Sequence, residues 1–124
     1  MKRILWVIGT MALFLLFSSD SLNAGAKGGQ KRWKATIKAK GELEYKIYFD
    51  GGKYPQKYAE FACIGNGKTD VDLFVYDADG AKVMEDQLFT DIAVARWQVK
   101  KAQEYRIVLK NLGEEDNELV LGHN

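Results

Sequence analysis

No part of this sequence limits the possible folds more than Asp70-Val71-Asp72-Leu73-Phe74-Val75-Tyr76-Asp77-Ala78-Asp79-Gly80. Val71, Leu73 and Val75 fall on one parity, and Asp72, Phe74 and Tyr76 on the other. Successive side chains of an extended chain point to opposite faces, so the segment reads as a strand with an aliphatic face and an aromatic–polar face. β-Branched and aromatic residues suit a pleated, half-buried surface, and Asp and Gly bound the run on both sides. In Asp77-Ala78-Asp79-Gly80 the first carboxylate can accept from the backbone N–H two residues on, and Gly80 tolerates a positive φ. The prediction is a strand running into a hairpin turn.

The rest of the chain fits strands around that one. Trp33, Ala35 and Ile37 alternate with Lys34, Thr36 and Lys38 in a first strand, and Leu43, Tyr45, Ile47 and Phe49 with Glu44, Lys46 and Tyr48 in a second. Asp50-Gly51-Gly52 and a loop around Pro55 precede a third strand, Tyr58 to Ile64, with Phe61 and Cys63 on one face. After the central strand come Lys82 to Leu88, Ile92 to Val99 with Ala93, Ala95, Trp97 and Val99 on one side, Glu104 to Leu112, and Asn117 to Leu121. No segment sustains a helical period. Eight short strands at near-regular spacing, separated by turn residues, predict an all-β domain, an antiparallel sandwich or barrel, behind an N-terminal signal-peptide helix. Its expected core is Leu43, Tyr45, Ile47, Phe49, Phe61, Cys63, Val71, Leu73, Val75, Trp97, Ile107, Leu109, Leu119 and Leu121. Glu44 to Phe49 and Glu104 to Leu109 look alike; strands drawing on one alphabet converge, and a repeat is not required to explain it.

The central run resembles the Asp-x-Asp-Leu-[Tyr/Phe]-Val-Tyr-Asp-x-x-Gly signature of bacterial pre-peptidase C-terminal domains and their stand-alone secreted relatives. Companions follow in the same order: Trp97, then Glu104-Tyr105-Arg106-Ile107-Val108-Leu109-Lys110-Asn111-Leu112-Gly113, then Asn117-Glu118-Leu119-Val120-Leu121. The resemblance spans Leu43 to Leu121. It implies a β-sandwich of jelly-roll type serving as a non-catalytic accessory module. Two departures stand out: Tyr54-Pro55-Gln56-Lys57 lengthens the segment before the central strands, and no protease domain precedes the module.

Lys2 and Arg3 precede an apolar run from Ile4 to Phe17, followed by a polar exit and Ala24-Gly25-Ala26. A charged start, an apolar stretch and an A-x-A-like site describe a secretory signal peptide over residues 1–26, cleaved after Ala26 or Ala24. The apolar run falls short of the roughly 18 residues wanted for a span, so no stable membrane insertion is expected after cleavage. Residues 27–32, around Gly28-Gly29, read as a flexible lead-in, and residues 33–124 as a single domain. The expected location is secreted or periplasmic.

The whole chain carries 18 basic and 17 acidic residues. Loss of Lys2, Arg3 and Asp20 with the leader balances them, which argues against nucleic acid as a partner. Charge is uneven along the chain: Lys27, Lys31, Arg32, Lys34, Lys38 and Lys40 crowd the beginning, and Glu114, Glu115, Asp116 and Glu118 the end. If the first and last strands are neighbours, opposite charges across them contribute roughly 0.2–1 kcal/mol each.

Catalytic chemistry finds few residues to use, and the expectation is that the protein is not an enzyme. Beyond residue 26 there is no serine, and the chain has one histidine, His123, and one cysteine, Cys63. His123 lies beside the chain end, where order is expected to be poor, and Cys63 occupies a core position as a small buried hydrophobe. One His and one Cys cannot make a zinc set, so no metal site is assigned. Calcium is the lesser alternative: Asp70, Asp72, Asp77 and Asp79 offer hard oxygen ligands, but Asp77-Ala78-Asp79-Gly80 does not extend into an EF-hand loop and turn chemistry is the preferred explanation of Asp70 and Asp77. No other cofactor is indicated. Aromatic rings give the one positive sign of binding: Tyr48, Phe74 and Tyr76 lie opposite the aliphatic stripe, where they stack on a ligand or pack against the domain's own loops. The sequence therefore leaves two readings. One is an exported, non-enzymatic β-sandwich accessory module contacting a surface glycan or another exported protein. The other is a structural or assembly subunit without a small ligand.

Overall fold

The stripe Val71, Leu73 and Val75 has no exposure to solvent, and the strand that carries it ends where the turn chemistry places its end. The structure, a computed structural model, describes residues 30–50, 58–88 and 90–124. The expected signal peptide and the loop around Pro55 lie outside these residues. Regular structure within them is all strand: β1 (Lys31–Ile37), β2 (Glu42–Phe49), β3 (Tyr58–Ile64), β4 (Val71–Tyr76), β5 (Lys82–Asp86), β6 (Ile92–Gln98), β7 (Gln103–Asn111) and β8 (Asn117–His123). The alternating sequence puts each strand where it is expected. β1 opens at Lys31 rather than Trp33, β5 stops at Asp86 rather than Leu88, and β8 continues past Leu121 to His123.

Two four-stranded sheets form, ordered β1-β8-β3-β6 and β2-β7-β4-β5, with every pair antiparallel. The chain alternates between layers so that sequence-distant strands become neighbours, which is the double Greek-key order of a jelly roll. In the β2-β7-β4-β5 sheet, Leu43, Leu109 and Leu73 form one inward row and Tyr45, Ile107 and Val75 the next. The facing sheet contributes Phe61, Cys63, Leu119 and Leu121, with Trp97 at one end. All the expected core residues are buried or packed against this cluster. Rings interlock within it: Phe49 meets Trp97, Tyr105 and His123 edge-on, at centroid distances of 5.4, 5.9 and 5.8 Å. Edge-to-face geometry of this kind adds to area burial.

The look-alike segments in β2 and β7 are adjacent strands, Tyr45 opposite Ile107 and Ile47 opposite Tyr105. Both present one face to the same core, which accounts for the shared alphabet. Between β4 and β5, Asp77 Oδ1 accepts from the Asp79 and Ala81 amides at 3.0 and 2.9 Å, and Gly80 adopts φ +88°. The turn is the one its residues demand.

Polar side chains lock the far end of the sandwich. The Asn117 amide donates to Thr69 Oγ1 at 2.8 Å and Asp91 Oδ2 at 2.9 Å, while its oxygen accepts from the Asn66 amide. Asp91 Oδ2 also accepts from the Gly67 N–H at 2.6 Å. A Cβ on Gly65 would collide with Asp91 and Asn117, so only glycine fits there. Asn111 donates to the carbonyls of Ile37, Lys38 and Glu115, tying together the loops that follow β1 and β7.

β1 and β8 are neighbours, and the basic and acidic ends of the domain do meet, in Lys38–Asp116 and Lys40–Glu114 pairs at 3.3 Å each. These side chains are mostly in water, where such pairs contribute little.

Replacing Leu73 by Ala removes a fully buried side chain at the centre of this packing and is expected to cost about 2–5 kcal/mol. Urea denaturation measures it; a midpoint equal to that of the unsubstituted protein would contradict the core described here.

Candidate functional site

The parity that buries Leu73 and Val75 sends Asp72, Phe74 and Tyr76 to the outer face of the β2-β7-β4-β5 sheet. Cross-strand register builds that face in rows. Lys46, Arg106, Tyr76 and Lys82 make one row, Glu44, Val108, Phe74 and Glu85 the next, and Glu42, Lys110 and Asp72 a third. Tyr48 stands opposite Glu104 one row beyond Tyr76, at the β2 edge, and is 41 % exposed.

Two of the three sequence-selected rings, Phe74 and Tyr76, are therefore together, and Tyr48 shares their face two strands away. Phe74 and Tyr76 are half-buried, and what flanks them is cationic side chains of neighbouring strands. The Arg106 guanidinium lies 4.5 Å from the Tyr76 ring centroid, and Lys110 Nζ and Lys82 Nζ lie 5.3 and 6.0 Å from that of Phe74. These are cation–π distances. The cations are in turn anchored by carboxylates: Arg106 to Glu44 at 2.9 Å, Lys82 to Glu85 at 2.8 Å and Lys110 to Glu42 at 3.6 Å. Periodicity finds the rings in the sequence. It does not find these cations, because they sit on the same face only by virtue of register between distant segments.

Asp72 is the uncomfortable member of the face. It is 7 % exposed, and its Oδ1 has no hydrogen-bond partner. Burial raises its pKa above the ordinary carboxylate value, the charges of Asp70 and Asp86 push the same way, and Lys110 opposes them.

The aspartates considered for calcium are divided between the two ends of β4. Asp70 Oδ1 accepts from the Thr90 amide at 3.1 Å, and Asp77 serves the turn amides. Among the described residues no three His, Cys, Asp or Glu side chains gather as metal ligands do.

His123 departs from expectation. Instead of fraying, it closes β8 opposite Phe61, 3 % exposed, with ring centroids of Trp33 and Phe49 5.7 and 5.8 Å away. The side chain of Asn124 extends the ladder by donating to the Tyr58 carbonyl and accepting from the Glu60 amide, which fixes the strand end. Desolvation lowers the His123 pKa, favouring the neutral ring. Cys63 is fully buried and burial pushes its thiol up to about 12, so it is not a nucleophile at ordinary pH.

The sequence reading passed over the other outer face. Ala62 and Ile64 alternate with the core residues of β3 and yet are buried, among Ile92, Val94 and Val120. The signal was present in the apolar run Phe61-Ala62-Cys63-Ile64 of β3, since strands covered on both faces lose their alternation. Beside this cluster an open groove of about 510 Å³ crosses β1, β8 and the end of β3, with Lys34, Thr36, Asn66 and Glu118 around Ile64 and Val120. No helix among the described residues is long and apolar enough to cross a membrane.

No protein-family model matches the chain, and no curated protein sequence matches it. Solved structures do. The pre-peptidase C-terminal domain of a collagenase from Bacillus anthracis superposes with a TM-score of 0.63 at 10 % identity, covering 77 % of this chain and 89 % of that one. The fold is pre-peptidase C-terminal-like. CorA, a surface-associated copper-binding protein of Methylomicrobium album BG8, gives a TM-score of 0.59 at 7 % identity, covering 79 % and 94 %. PliG of Aeromonas hydrophila, a periplasmic inhibitor of g-type lysozyme, gives 0.55 at 8 % identity, covering 81 % and 86 %. At such identities the likeness concerns the fold.

The raised pKa of Asp72 fixes the sign of a pH effect. The folded state holds this proton more tightly than the unfolded chain, so ionising Asp72 opposes folding at neutral pH and the penalty disappears as pH falls through its folded-state pKa. Asp72→Asn is expected to raise the melting midpoint at pH 7, with the advantage shrinking on acidification. A lower midpoint at pH 7 would show that the carboxylate is held favourably.

Proposed function

We propose that this protein is an exported, non-enzymatic accessory module, a relative of pre-peptidase C-terminal domains. It attaches to a surface glycan or to another exported protein through the outer face of the β2-β7-β4-β5 sheet. The observation that carries the reading is the arrangement of Phe74 and Tyr76 among Arg106, Lys82 and Lys110, with Tyr48 on the same face. Rings flanked by cations offer aromatic surface for contact, and the paired carboxylates supply hydrogen-bond acceptors beside it. Rigid aromatic anchors next to Arg are the composition that contact surfaces favour.

Export rests on the charged and apolar leader of residues 1–26. The periplasmic inhibitor and the surface-associated copper protein of similar fold are compatible with that location. The absence of an enzymatic role is supported by the chemistry of the two most reactive side chains: Cys63 is a buried high-pKa thiol and His123 a buried neutral ring. Both serve the core.

The test is a pull-down on isolated cell-wall material and on intact cell surface, comparing the unsubstituted protein with Tyr76→Ala. Loss of one stacking ring is expected to weaken retention about tenfold. Because Tyr76 is half-buried under Arg106, the variant is expected to melt at a somewhat lower but still cooperative midpoint, and its fold is checked by circular dichroism. Retention unaffected by the substitution would contradict this face as the contact surface, and no retention by the unsubstituted protein would contradict attachment to surface material.

A further inference from the structure

Among the described residues the sandwich is closed along one flank and open along the other. On the closed flank β5 runs beside β6, and the Val94 amide donates to Asp86 Oδ2 at 3.1 Å. On the other flank the inward-facing residues of β1 and β2, namely Trp33, Ala35, Leu43, Tyr45 and Ile47, reach the core but stay half-buried. There, among the described residues, β2 is hydrogen-bonded on one side only, to β7. The Asn111 amide donates to the Gly41 carbonyl at 3.0 Å, which continues the β2–β7 register by one residue and fixes its phase. By the alternation of an antiparallel ladder, the peptide groups of Leu43, Tyr45 and Ile47 then face β7, and those of Glu42, Glu44 and Lys46 face outward from the edge.

We propose that this edge pairs with the β2 edge of a second copy of the chain, antiparallel about a two-fold axis at Tyr45, so that Glu44 of each copy faces Lys46 of the other. Charge selects the register. Outward peptide groups must meet outward peptide groups, so the axis passes through a residue rather than between two. Centring on Leu43 sets Glu42 against Glu44 and centring on Ile47 sets Glu44 against Asp50, which leaves Glu44, Tyr45 and Lys46 as centres to compare. Centring on Glu44 sets Glu44 against its own copy, and centring on Lys46 sets Lys46 against its own copy; like charges directly opposite are destabilising. Centring on Tyr45 makes two opposite-charge pairs and no like pair. It also answers a conflict within one copy, where Lys46 stands opposite Arg106, a cation, and Arg106 is bonded to Glu44 instead. In the pair, Lys46 gains a carboxylate.

A two-fold interface uses the same patch on both copies, as self-pairing requires. It covers Leu43, Tyr45 and Ile47, removes an exposed sheet edge, and joins two four-stranded sheets into one continuous sheet. Glu42 of one copy comes opposite Tyr48 of the other, so the outer faces of the two copies become one surface.

Sedimentation velocity across a concentration series, on protein purified from cells expressing the full chain, tests the pairing. The expected result is a reversible monomer–dimer equilibrium. Lys46→Glu and Glu44→Lys should each weaken the dimer about tenfold by placing like charges opposite, and the double exchange should restore it. Lys46→Glu sets a carboxylate against Arg106, so that variant is expected to fold as well as the parent. Amide exchange on the unsubstituted protein gives an independent reading: the Glu44 and Lys46 amides should become protected as concentration rises. A monomer at every concentration overturns the proposal and leaves the edge to a different partner. So does a dimer that is indifferent to the single exchanges or not restored by the double one, or edge amides that exchange equally fast at all concentrations.

Discussion

Burial of Val71, Leu73 and Val75 against the facing sheet sets the register of this protein, and register decides everything on its surface. A strand has period two, so a slip of one residue would bring Asp72, Phe74 and Tyr76 into the core and put the aliphatic stripe in water. Because the stripe is fully buried, that slip is prohibited. The positions of Arg106 over Tyr76 and of Lys110 beside Phe74 follow from the same constraint, since β7 is locked to β4 through the Leu73–Leu109 and Val75–Ile107 rows. The aromatic–cationic face is thus a consequence of core packing rather than a separate construction.

The polar locks have a different role. Apolar packing in a jelly roll specifies which faces meet but is indifferent to the path of the loops. Asn117, Asp91 and Thr69 on one side, and Asn111 on the other, tie the loops at one end of the sandwich to each other through buried hydrogen bonds. A buried polar network is costly when incomplete and specific when complete. Here each of the two asparagine side chains uses both its amide and its oxygen. Asp72 shows the other side of that rule on the outer face, a carboxylate with an orphaned oxygen and a raised pKa.

Much of the fold was legible because it is written in alternation. The strands and the core stripe around Leu73 follow from parity, and Asp77 and Gly80 announce their turn. What was not legible depends on pairings between distant segments. Nothing local in Asn111 or Asn117 marks either as a buried tie, since asparagine at a strand end reads as turn chemistry. His123 looked like frayed terminus because the groups that order the strand end, Phe61 and the Tyr58 and Glu60 backbone bonded by Asn124, lie far away in sequence. Ala62 and Ile64 hid behind the core parity of Phe61 and Cys63. At the candidate site the rings were visible and the cations holding them were not, for the same reason. The half-buried flank of β1 and β2 belongs with these, because an open edge is a property of topology.

Two antiparallel layers close as one unit on a shared inward face, with Cys63 inside it. The most direct test of that closure is the reactivity of that single thiol toward a soluble thiol reagent across a urea titration, compared with far-ultraviolet circular dichroism. The account predicts that Cys63 becomes reactive only in step with the loss of strand signal, the two midpoints coinciding. Labelling that runs ahead of the loss of strand structure would mean that the layers part independently or that Cys63 lies outside the closed face, and would contradict it.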